Sequence, residues 1–487
     1  MSAIMLQGTG SDVGKSILVA GLCRVFADRG MKVLPFKAQN MSNNAAPAID
    51  GGEIGRAQHL QAIACRVAPS VHHNPVLLKP ESNVGAQVIV QGKMYGNIAA
   101  KDFNFNRRDL LKTVLESFDI LKSTSDIVIV EGAGSPAEIN LREGDIANMG
   151  FACAAKVPVI LVGDIDRGGV IASIVGTKNV LNPADSAMIK GFIINRFRGD
   201  AALFNEGYTA IERFTGWHGF CIVPWIDAAR NLPQEDAIPK DIDSNGTVTI
   251  AIPLLPHISN HDDFDALEAE PTVRIVRVPP GHPLPLNVAL VVLPGSKSTI
   301  SDLSFLRKQG WDIDLAAHIR RKGRVLGICG GYQMLGLTIS DPCGVEGAPC
   351  EVAGLCLLPI HTVLDSEKRV RDVQGISIAD NIPFRGYEIH CGRTMPEKDV
   401  APMLQFQDGE FDGAVSADGL VSGCYVHRLF DDAKQRASIL KTLGGSSDGI
   451  DQNIRVEAAL DTVADVLKNS LDIDGILDTA KTYKGHL

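Results

Sequence analysis

A single cysteine stands between glycines in the stretch GICGGYQMLG, residues 327–336, directly after an apolar run. This pattern predicts a strand that delivers Cys329 into a tight turn ahead of a helix, where the thiol lies beside backbone N–H groups. Hydrolases with a G-x-S-x-G motif position their nucleophile in the same way. We therefore expect Cys329 to act as a nucleophile, the alternative being a buried structural thiol.

A cysteine nucleophile needs a base, and the chain has 12 histidines. His427 in SGCYVHRLF closes a predicted strand in the same half of the chain, and His390 in GYEIHCGRT is its rival. Gly295 in VLPGSKS follows another predicted strand, so its backbone N–H is a candidate donor to an oxyanion. The residues by themselves leave the choice between the two histidines open.

A second chemistry is indicated near the amino terminus by LQGTGSDVGKS, residues 6–16. A glycine-rich loop between a strand and a helix turns backbone N–H groups toward an anion, and the helix dipole adds partial positive charge. Lys15 is expected to reach the β- and γ-phosphates of a nucleotide, and Ser16 to ligate Mg²⁺. Thr9 stands where the strict phosphate-loop pattern has glycine, and Gly8 lies one residue earlier.

Residues at the ends of later predicted strands support a nucleotide site. DIVIVEGAG places Glu131 at a strand end, where a Mg-nucleotide site needs an acid, and Lys37 in PFKAQN is expected near the transferring phosphoryl group. A further strand end, VGDIDRGG, offers Asp164, Asp166 and Arg167 to nucleotide or substrate. The residues expected to bind ATP are Gly8, Thr9, Gly14, Lys15, Ser16 and Lys37, and those expected to bind the metal are Ser16 and Glu131.

The first half of the chain alternates β-rich runs with amphipathic segments, as is typical of parallel strands joined by crossover helices. A polar segment with prolines then predicts a linker, and a second strand-rich α/β domain begins near Val248. The predicted organisation is a first domain over 1–228 with helices near 16–29 and 53–67, a linker over 229–247, a second domain over 248–445, and a C-terminal tail over 446–487 with a helix at 454–469.

Bulk composition limits the function classes. The 487 residues, of which 45% are hydrophobic and 21% charged, suggest two domains with large cores. A net charge of -10 disfavours general binding to nucleic acid or anionic membrane. Polar residues interrupt the amino terminus and no apolar run approaches the length of a membrane span, so a cytoplasmic location is expected. Ten cysteines without a CxxC pair disfavour disulfides and structural zinc.

These motifs, taken in order, resemble those of the cobyric acid synthase family, glutamine-hydrolysing amidotransferases of cobalamin biosynthesis. The resemblance covers most of the chain and rests on QGTGSDVGKS, PFKAQNMS, GGEIGRAQ, NPVLLKP, EGAGSPAEINL, DIDRGGV, HISNHDDFDAL, PGSKSTISDL, GICGGYQMLG and GYEIHCGR. It implies an α/β fold with a phosphate-loop domain of the dethiobiotin-synthetase type, followed by a class I glutamine amidotransferase domain. It also implies that Cys329 is the glutaminase nucleophile and His427 its base.

The family's activity implies that ATP and glutamine support amidation of the b, d, e and g carboxylates of adenosylcobyrinic acid a,c-diamide, giving cobyric acid. ATP, with Mg²⁺, would convert each carboxylate to an acyl phosphate, which ammonia then displaces. The substrate candidates are Asn40, Arg56, Asp164 and Asp166, and further basic candidates for a polyanionic substrate are Lys79 and Arg142.

Other interpretations stay open at this point. The nearest is the related synthase that amidates the a and c side chains of the same corrin, and another is an amidoligase acting on a cell-wall precursor. A phosphate-loop switch protein with an inactive glutaminase module belongs to a different class, and the presence of both Cys329 and His427 disfavours it.

The third member of the glutaminase triad is also open. Many class I glutaminases carry Glu two residues after the catalytic His, where this chain has Leu429. A Cys–His dyad, or an acid from elsewhere such as Asp431, are the alternatives. The oligomeric state does not follow from the sequence.

Overall fold

The computed structural model describes residues 2–82, 85–99, 107–235 and 246–483. These residues form two compact units. The first unit contains residues 2–42, 48–235 and 456–483, and the second contains residues 43–47 and 246–455.

Residues 2–235 fold into alternating strands and helices, as the sequence predicts. The strands are β1 (Ser2–Gly8), β2 (Val33–Phe36), β3 (Gln39–Met41), β4 (Ala45–Pro47), β5 (Glu53–Gly55), β6 (Val76–Ser82), β7 (Gly85–Val90), β8 (Lys93–Ala99), β9 (Ile127–Glu131), β10 (Val159–Asp164), β11 (Ile189–Phe197) and β12 (His218–Pro224). The helices are α1 (Lys15–Asp28), α2 (Arg56–Ala64), α3 (Arg107–Thr124), α4 (Met149–Ala155), α5 (Val170–Val180), α6 (Pro183–Met188) and α7 (Asn205–Thr215). The helix predicted near 53–67 begins later, because Gly55 is extended.

Six parallel strands form the main sheet of the first unit, in the order β12-β11-β10-β1-β9-β2. The register places Leu6 of β1 opposite Glu131 of β9, and Gly8 of β1 opposite Val162 of β10. The carboxyl ends of these strands therefore meet at one edge of the sheet, which is where ligands bind in open α/β sheets.

Both faces of this sheet are covered. Ile4 and Leu6 of β1 belong to a buried cluster that includes Val19 of α1. Met5, between them, belongs to a cluster on the other face that includes Phe118 of α3. This alternation is the packing expected when crossover helices lie on both sides of a parallel sheet.

The second unit has its own mixed sheets. Its strands are β13 (Val248–Pro253), β14 (Val273–Val278), β15 (Leu290–Leu293), β16 (Arg324–Ile328), β17 (Thr338–Asp341), β18 (Cys350–Ala353), β19 (Ile360–Ser377), β20 (Pro383–Pro396), β21 (Leu404–Phe406), β22 (Phe411–Asp412), β23 (Ala414–Val415) and β24 (Val421–Cys424). Its helices are α8 (Asp265–Glu268), α9 (Thr299–Lys308), α10 (Trp311–Arg320), α11 (Gly330–Met334) and α12 (Ala433–Thr442).

The main sheet of the second unit has the order β14-β13-β15-β16-β24-β23, with β23 antiparallel to β24 and the other neighbours parallel. Ile328 of β16 lies opposite Cys424 of β24. Because Cys329 follows the first of these residues and His427 lies shortly after the second, both leave adjacent strands at the same edge.

The last two helices of the described residues are α13 (Gln452–Ser470) and α14 (Ile473–Thr482). The first confirms the helix predicted at 454–469. A Cβ atom at Gly21 of α1 would lie 2.5 Å from Cδ1 of Leu467, so the glycine allows α13 to approach α1 closely. The buried Arg24 donates to Glu457 at 2.6 Å and to Asp461 at 2.9 Å. Much of the C-terminal tail thus packs into the core of the first unit, which the sequence patterns did not indicate.

Candidate functional site

Glycines shape the phosphate loop between β1 and α1. Gly14 caps α1 with φ 90°, a backbone conformation that favours glycine. A Cβ atom at Gly14 would lie 2.3 Å from Nδ2 of Asn195, and one at Gly8 would lie 2.8 Å from Nζ of Lys15. Side chains at either glycine would therefore collide with neighbouring groups of the loop.

The expected ATP-binding residues of this loop lie together at the sheet edge. Nζ of Lys15 donates to the carbonyl of Gly10 at 2.9 Å and to that of Gly134 at 3.2 Å. Thr9 is tied to β10, since its backbone N–H donates to the carbonyl of Val162 at 2.9 Å. Burial lowers the pKa of Lys15, with nearby carboxylates acting in the opposite direction.

Glu131 is the centre of a buried polar cluster beside the loop. Its Oε1 accepts from Oγ of Ser16 at 2.8 Å and from Nζ of Lys37 at 2.9 Å, and its Oε2 accepts from Nε2 of Gln61 at 2.5 Å. Burial alone would raise the pKa of Glu131, but Lys37 and the other donors hold it below its usual value. The carboxylate therefore stays ionised beside the serine predicted to ligate metal.

Glu235 also enters this cluster, although sequence patterns placed it in a linker. Its carboxylate accepts from Nζ of Lys37 at 3.2 and 3.3 Å and from Nδ2 of Asn40, and Oγ of Ser16 lies 3.5 Å away. Oγ of Ser42 donates to the Glu235 carbonyl at 3.3 Å. Burial opposes the charged form of Lys37, but the two carboxylates outweigh it and raise the pKa of Lys37.

Asp164, the last residue of β10, and Arg167 after it lie near the phosphate loop on the β10 side of β1. Nη1 of Arg196 donates to Asp164 at 3.0 Å and to the carbonyl of Asp12 at 2.7 Å. Nη2 of Arg167 donates to the Asp12 carboxylate at 2.6 Å. Asp164 and Arg167 are thus linked to the loop through Asp12.

The remaining substrate candidates have other described contacts. Asp166 pairs with Arg198 at 2.7 Å. Arg56 is buried, with its Nη1 2.9 Å from Nδ1 of His59, and Lys79 forms a buried ion pair with Glu53. Arg142 makes a two-pronged contact with Asp185 at 2.6 and 2.9 Å and borders a cavity of about 140 Å³. Of the substrate candidates, the described contacts join Asn40 to the Glu131 cluster and Asp164 to the loop.

Ser16 and Glu131 offer the oxygen donors that Mg²⁺ prefers. Within the described ranges, no group of three or more His, Cys, Asp or Glu side chains is arranged to hold a metal ion. A Mg²⁺ ion beside Ser16 would therefore take its other ligands from phosphate oxygens and water, as it usually does in nucleotide sites. The ten cysteines all lie in described ranges and are free thiols.

Cys329 lies in a strained turn between β16 and α11. Its φ of 51° and ψ of -108° are unusual for a residue with a side chain and match the sharp turn expected at a nucleophile. A Cβ atom at Gly331 would lie 2.1 Å from the carbonyl oxygen of Leu293, and one at Gly330 would lie 2.8 Å from the backbone N of Ser296. The glycines after Cys329 therefore let the turn pack against the end of β15.

His427 is fully buried and lies against Cys329. Nδ1 of His427 is 2.8 Å from Oδ2 of Asp263, and the Cys329 thiol is close enough to the imidazole to influence its pKa. Nδ2 of Asn260 lies 3.4 Å from Nε2 of His427. Burial disfavours the imidazolium, but Asp263 and then Cys329 raise the pKa of His427 well above its usual value.

Two further contacts hold the His427 ring in place. The ring stacks on Tyr387 of β20 with centroids 5.2 Å apart, and the two residues exchange backbone hydrogen bonds of 2.9 and 3.3 Å. Oδ1 of Asp263 accepts from the backbone N–H of Arg428 at 2.7 Å, so one carboxylate binds both the ring and the backbone that carries it.

Gly295 lies where an oxyanion donor is expected. A Cβ atom at Gly295 would lie 3.2 Å from Cε1 of His427 and 3.1 Å from the carbonyl oxygen of Ser259. The loop after β15 therefore passes close to the imidazole and leaves little room for a side chain at position 295. The role of its N–H groups stays a prediction.

The other residues considered for this site have different partners. Nδ1 of His390 lies 3.1 Å from the carbonyl of Gly392, and its ring stacks on Tyr425 with centroids 3.7 Å apart. Asp431, the acid considered as a third triad member, pairs with Arg428. None of these three described contacts joins His390 or Asp431 to the Cys329 thiol or the His427 ring.

Sequence patterns missed two acids of these sites, Asp263 and Glu235. The stretch HISNHDDFDAL was noted only as a motif, and no periodicity or spacing pairs its second aspartate with a histidine far along the chain. Glu235 follows PQ in a stretch whose polarity and proline are typical of a linker.

Within the described residues, no helix is both long and apolar enough to span a membrane.

Two family profiles match the chain, one to each part. Residues 4–239 match the "CobQ/CobB/MinD/ParA nucleotide binding domain", and residues 249–435 match the "CobB/CobQ-like glutamine amidotransferase domain". The order of these domains confirms the predicted fold class, a nucleotide-binding α/β domain followed by an α/β glutamine amidotransferase domain.

Curated relatives named cobyric acid synthase resemble the chain over nearly its full length. The protein from Methylorubrum populi is 58% identical over 98% of this chain and 98% of its own. The proteins from Caulobacter sp. and Rhizorhabdus wittichii are 56% and 55% identical, over 98% and 99% of this chain and 99% of each relative. The chain therefore belongs to the cobyric acid synthase family, amidoligases of cobalamin biosynthesis that carry a glutamine amidotransferase domain.

Proposed function

We propose that the chain uses ATP and glutamine to amidate the b, d, e and g carboxylates of adenosylcobyrinic acid a,c-diamide, giving cobyric acid. The observation that supports this proposal is the presence of two groups of candidate catalytic residues, one in each unit. One unit places Lys15 and Lys37 at a phosphate loop, and the other places Cys329 against a buried histidine. Family membership supplies the class of substrate.

In the glutaminase reaction, His427 takes the proton of the Cys329 thiol, and the sulfur attacks the side-chain amide carbon of glutamine. The C–N bond breaks, the His427 imidazolium gives its proton to the leaving nitrogen, and ammonia departs from a thioester. His427 then takes a proton from water, which attacks the thioester carbon and releases glutamate with the thiol restored. Backbone N–H groups near Gly295 would stabilise the oxyanion formed in both steps.

Asp263 is proposed as the third member of this site. An acid bonded to Nδ1 of a histidine fixes the tautomer that leaves Nε2 facing the nucleophile, and it stabilises the imidazolium. The distance of 2.8 Å between Asp263 and His427 supports this role. Asp263 acts through the histidine and is therefore a positioning residue.

In the ligase reaction, a substrate carboxylate oxygen attacks the γ-phosphorus of ATP, giving an acyl phosphate and ADP. Ammonia then attacks the acyl carbon, and inorganic phosphate leaves as the amide forms. Lys15 and Lys37 would offset the negative charge on the transferring phosphoryl group. Ser16 and Glu131 would hold Mg²⁺, which neutralises phosphate charge when it is bound.

For this chemistry we keep the division predicted from sequence, with the ligase over 1–228 and the glutaminase over 248–445, and add Glu235 and much of α13 to the ligase because they lie in the first unit. The alternative family activity, amidation of the a and c side chains, predicts a different product. Counting the amides formed on each corrinoid acid by mass spectrometry separates the two activities. Product with amides only at the a and c positions would overturn the proposal.

The variant Cys329→Ser tests the division of labour, because a hydroxyl nearly preserves the volume of the thiol and lacks its nucleophilicity. Glutamine-supported amidation should disappear, while ammonium at mildly alkaline pH should still give the four-fold amidated product. Lys15→Ala is the complementary variant and should lose synthesis from both nitrogen sources. Near-normal ammonium-dependent turnover by Lys15→Ala would contradict the ligase assignment.

The two histidines are separated by comparing His427→Asn with His390→Asn. Loss of a general base costs about 10²- to 10⁴-fold in rate, so the first variant should lose glutaminase activity by that order. The second should retain most of it, because His390 bonds to Gly392 and stacks on Tyr425. The reverse result would move the base to His390.

A further inference from the structure

Glu235 occupies a small pocket lined by hydrogen-bond donors in the first unit. Nζ of Lys37 lies 3.2 and 3.3 Å from its two carboxylate oxygens, and Nδ2 of Asn40 donates to Oε1. Asn40 is itself buried and held by Gln58, its Nδ2 lying 2.9 Å from the Gln58 amide oxygen. The pocket is therefore preorganised to bind a carboxylate.

The chemistry of this pocket suits an anion better than a metal ion. The donors described around the Glu235 carboxylate include an ammonium and an amide N–H, and a cation placed beside them would be repelled by Lys37. Oε1 of Glu131 accepts from Ser16 and Lys37, whereas Oε1 of Glu235 accepts from Asn40 and Lys37. Oγ of Ser16 also lies 3.5 Å from Oε2 of Glu235. The Lys37 and Asn40 donors thus offer an anion site next to the oxygen donors of Ser16 and Glu131.

The ion pairs of Lys37 also favour an anion at this position. Nζ of Lys37 pairs with two carboxylates, that of Glu131 at 2.9 Å and that of Glu235 at 3.2 Å. Withdrawing Glu235 removes one of these two partners. A substrate carboxylate entering the pocket would take its place, and the buried position of Lys37 strengthens the attraction.

Glu235 is placed so that its side chain can leave without dismantling the unit. The chain is anchored before it, since Leu232 is buried in the core of the first unit. The Glu235 side chain itself is 16% exposed, whereas that of Glu131 is 1% exposed. Glu235 therefore lies at the rim of the cluster, and Glu131 lies at its centre.

We propose that Lys37 and Asn40 form the subsite for the substrate carboxylate that is to be amidated, and that Glu235 occupies it as an internal stand-in which the substrate displaces. This inference rests on the proposed function, because it requires a carboxylate substrate. It assigns Asn40 a direct contact with substrate and gives Glu235 a restraining role. Glu235 occupies the donors of Lys37 and Asn40 until a carboxylate arrives.

The test is equilibrium binding of adenosylcobyrinic acid a,c-diamide to the full chain in the presence of Mg-ADP, which prevents turnover. Glu235→Gln removes the charge at nearly constant volume, and Glu235→Ala empties the pocket. A stand-in that fills a site for about 70–90% of the time weakens ligand binding by roughly threefold to tenfold. Both variants should therefore bind the corrinoid roughly threefold to tenfold more tightly than the wild type.

Two control variants show whether a change in corrinoid binding comes from competition for the subsite. Glu206→Gln removes an exposed acid from the first turn of α7 in the same unit and should leave corrinoid binding unchanged. Asn40→Asp places a second carboxylate against the subsite and should weaken binding. Opposite effects at positions 235 and 40 distinguish competition for one subsite from general damage, and melting temperatures identify any variant that is unfolded.

Unchanged or weaker corrinoid binding by both Glu235 variants would overturn the inference. A raised Mg²⁺ requirement with unchanged corrinoid affinity would also overturn it and make Glu235 a metal ligand. The proposed function is judged separately, on the amides that the wild type forms. If the wild type makes the expected product and the Glu235 variants bind the corrinoid with wild-type affinity, this inference is overturned and the proposed function is not.

Discussion

Oδ2 of Asp263 lies 2.8 Å from Nδ1 of His427, although 164 residues separate the two along the chain. Both side chains are buried, with 1% and 0% of their surface exposed. Asp263 belongs to a short 3-10 helix at His261–Phe264 after β13, whereas His427 follows β24. The acid partner of this histidine is therefore delivered by a different strand end, and the position two residues after the histidine is filled by the buried Leu429.

Asp263→Asn should reduce glutamine-supported amidation on the order of 10²-fold, because the amide no longer stabilises the imidazolium or fixes its tautomer. Ammonium-supported amidation should stay close to wild type, since it does not use the thiol. Asp431→Asn is the matched control and should retain glutaminase activity, because Asp431 pairs with Arg428. Initial rates with each nitrogen source measure both effects, and loss of ammonium-supported synthesis in Asp263→Asn would contradict the assignment.

The pH dependence of the glutaminase should change in one direction. Asp263 contributes to the raised pKa of His427, so the imidazolium persists to higher pH when the carboxylate is present. Removing that carboxylate lowers the histidine pKa, and the protonated ring is then lost earlier as pH rises. The alkaline limb of kcat/KM for glutamine should therefore move to lower pH in Asp263→Asn, and a shift to higher pH would refute this explanation.

Glu131→Gln should raise the Mg²⁺ concentration needed for half-maximal ATP-dependent amidation by about tenfold or more. The physical reason is loss of an ionised oxygen ligand beside Ser16, together with loss of the charge that Lys37 balances. Glu138→Gln changes an exposed acid that follows the same strand and serves as the control. An identical Mg²⁺ titration for wild type and Glu131→Gln would remove Glu131 from the metal site.

Leu467→Ala should destabilise the first unit by about 2–5 kcal/mol, the usual cost of truncating a fully buried leucine. The side chain packs where Gly21 lets α13 approach α1, so the loss leaves a cavity between two helices. Ile454→Ala changes a side chain of the same helix that is 60% exposed and should alter stability by less than about 0.5 kcal/mol. Urea unfolding of both variants measures the loss in free energy of unfolding that each substitution causes.

Local patterns in the sequence were enough to predict the elements that carry the chemistry. The apolar run, cysteine and glycines at 327–331 predicted a strand, a turn and a helix, and the structure has β16, a strained Cys329 and α11 in that order. The phosphate loop before α1 was predicted for the same reason. Glycine conformations and strand periodicity act over a few residues, so they are visible in the sequence alone.

The helix at 454–469 illustrates both what the sequence predicted and what it did not. Its periodicity predicted the helix, and α13 confirms it. Its packing against α1 was not predicted, because the fit between Gly21 and Leu467 and the ion pairs of Arg24 depend on surfaces more than 400 residues apart in the chain. Amphipathic periodicity shows that a helix has a partner and does not identify it.

The sequence by itself therefore determined the fold class, the turn at Cys329, the phosphate loop and the family. Tertiary structure alone decided that Asp263 meets His427 and that Glu235 meets Lys37 and Asn40. Those contacts arise from the register of parallel strands and from the path of the chain between them. Because such pairings are set by the packing of whole sheets, residues distant in sequence acquire their roles only when the chain is folded.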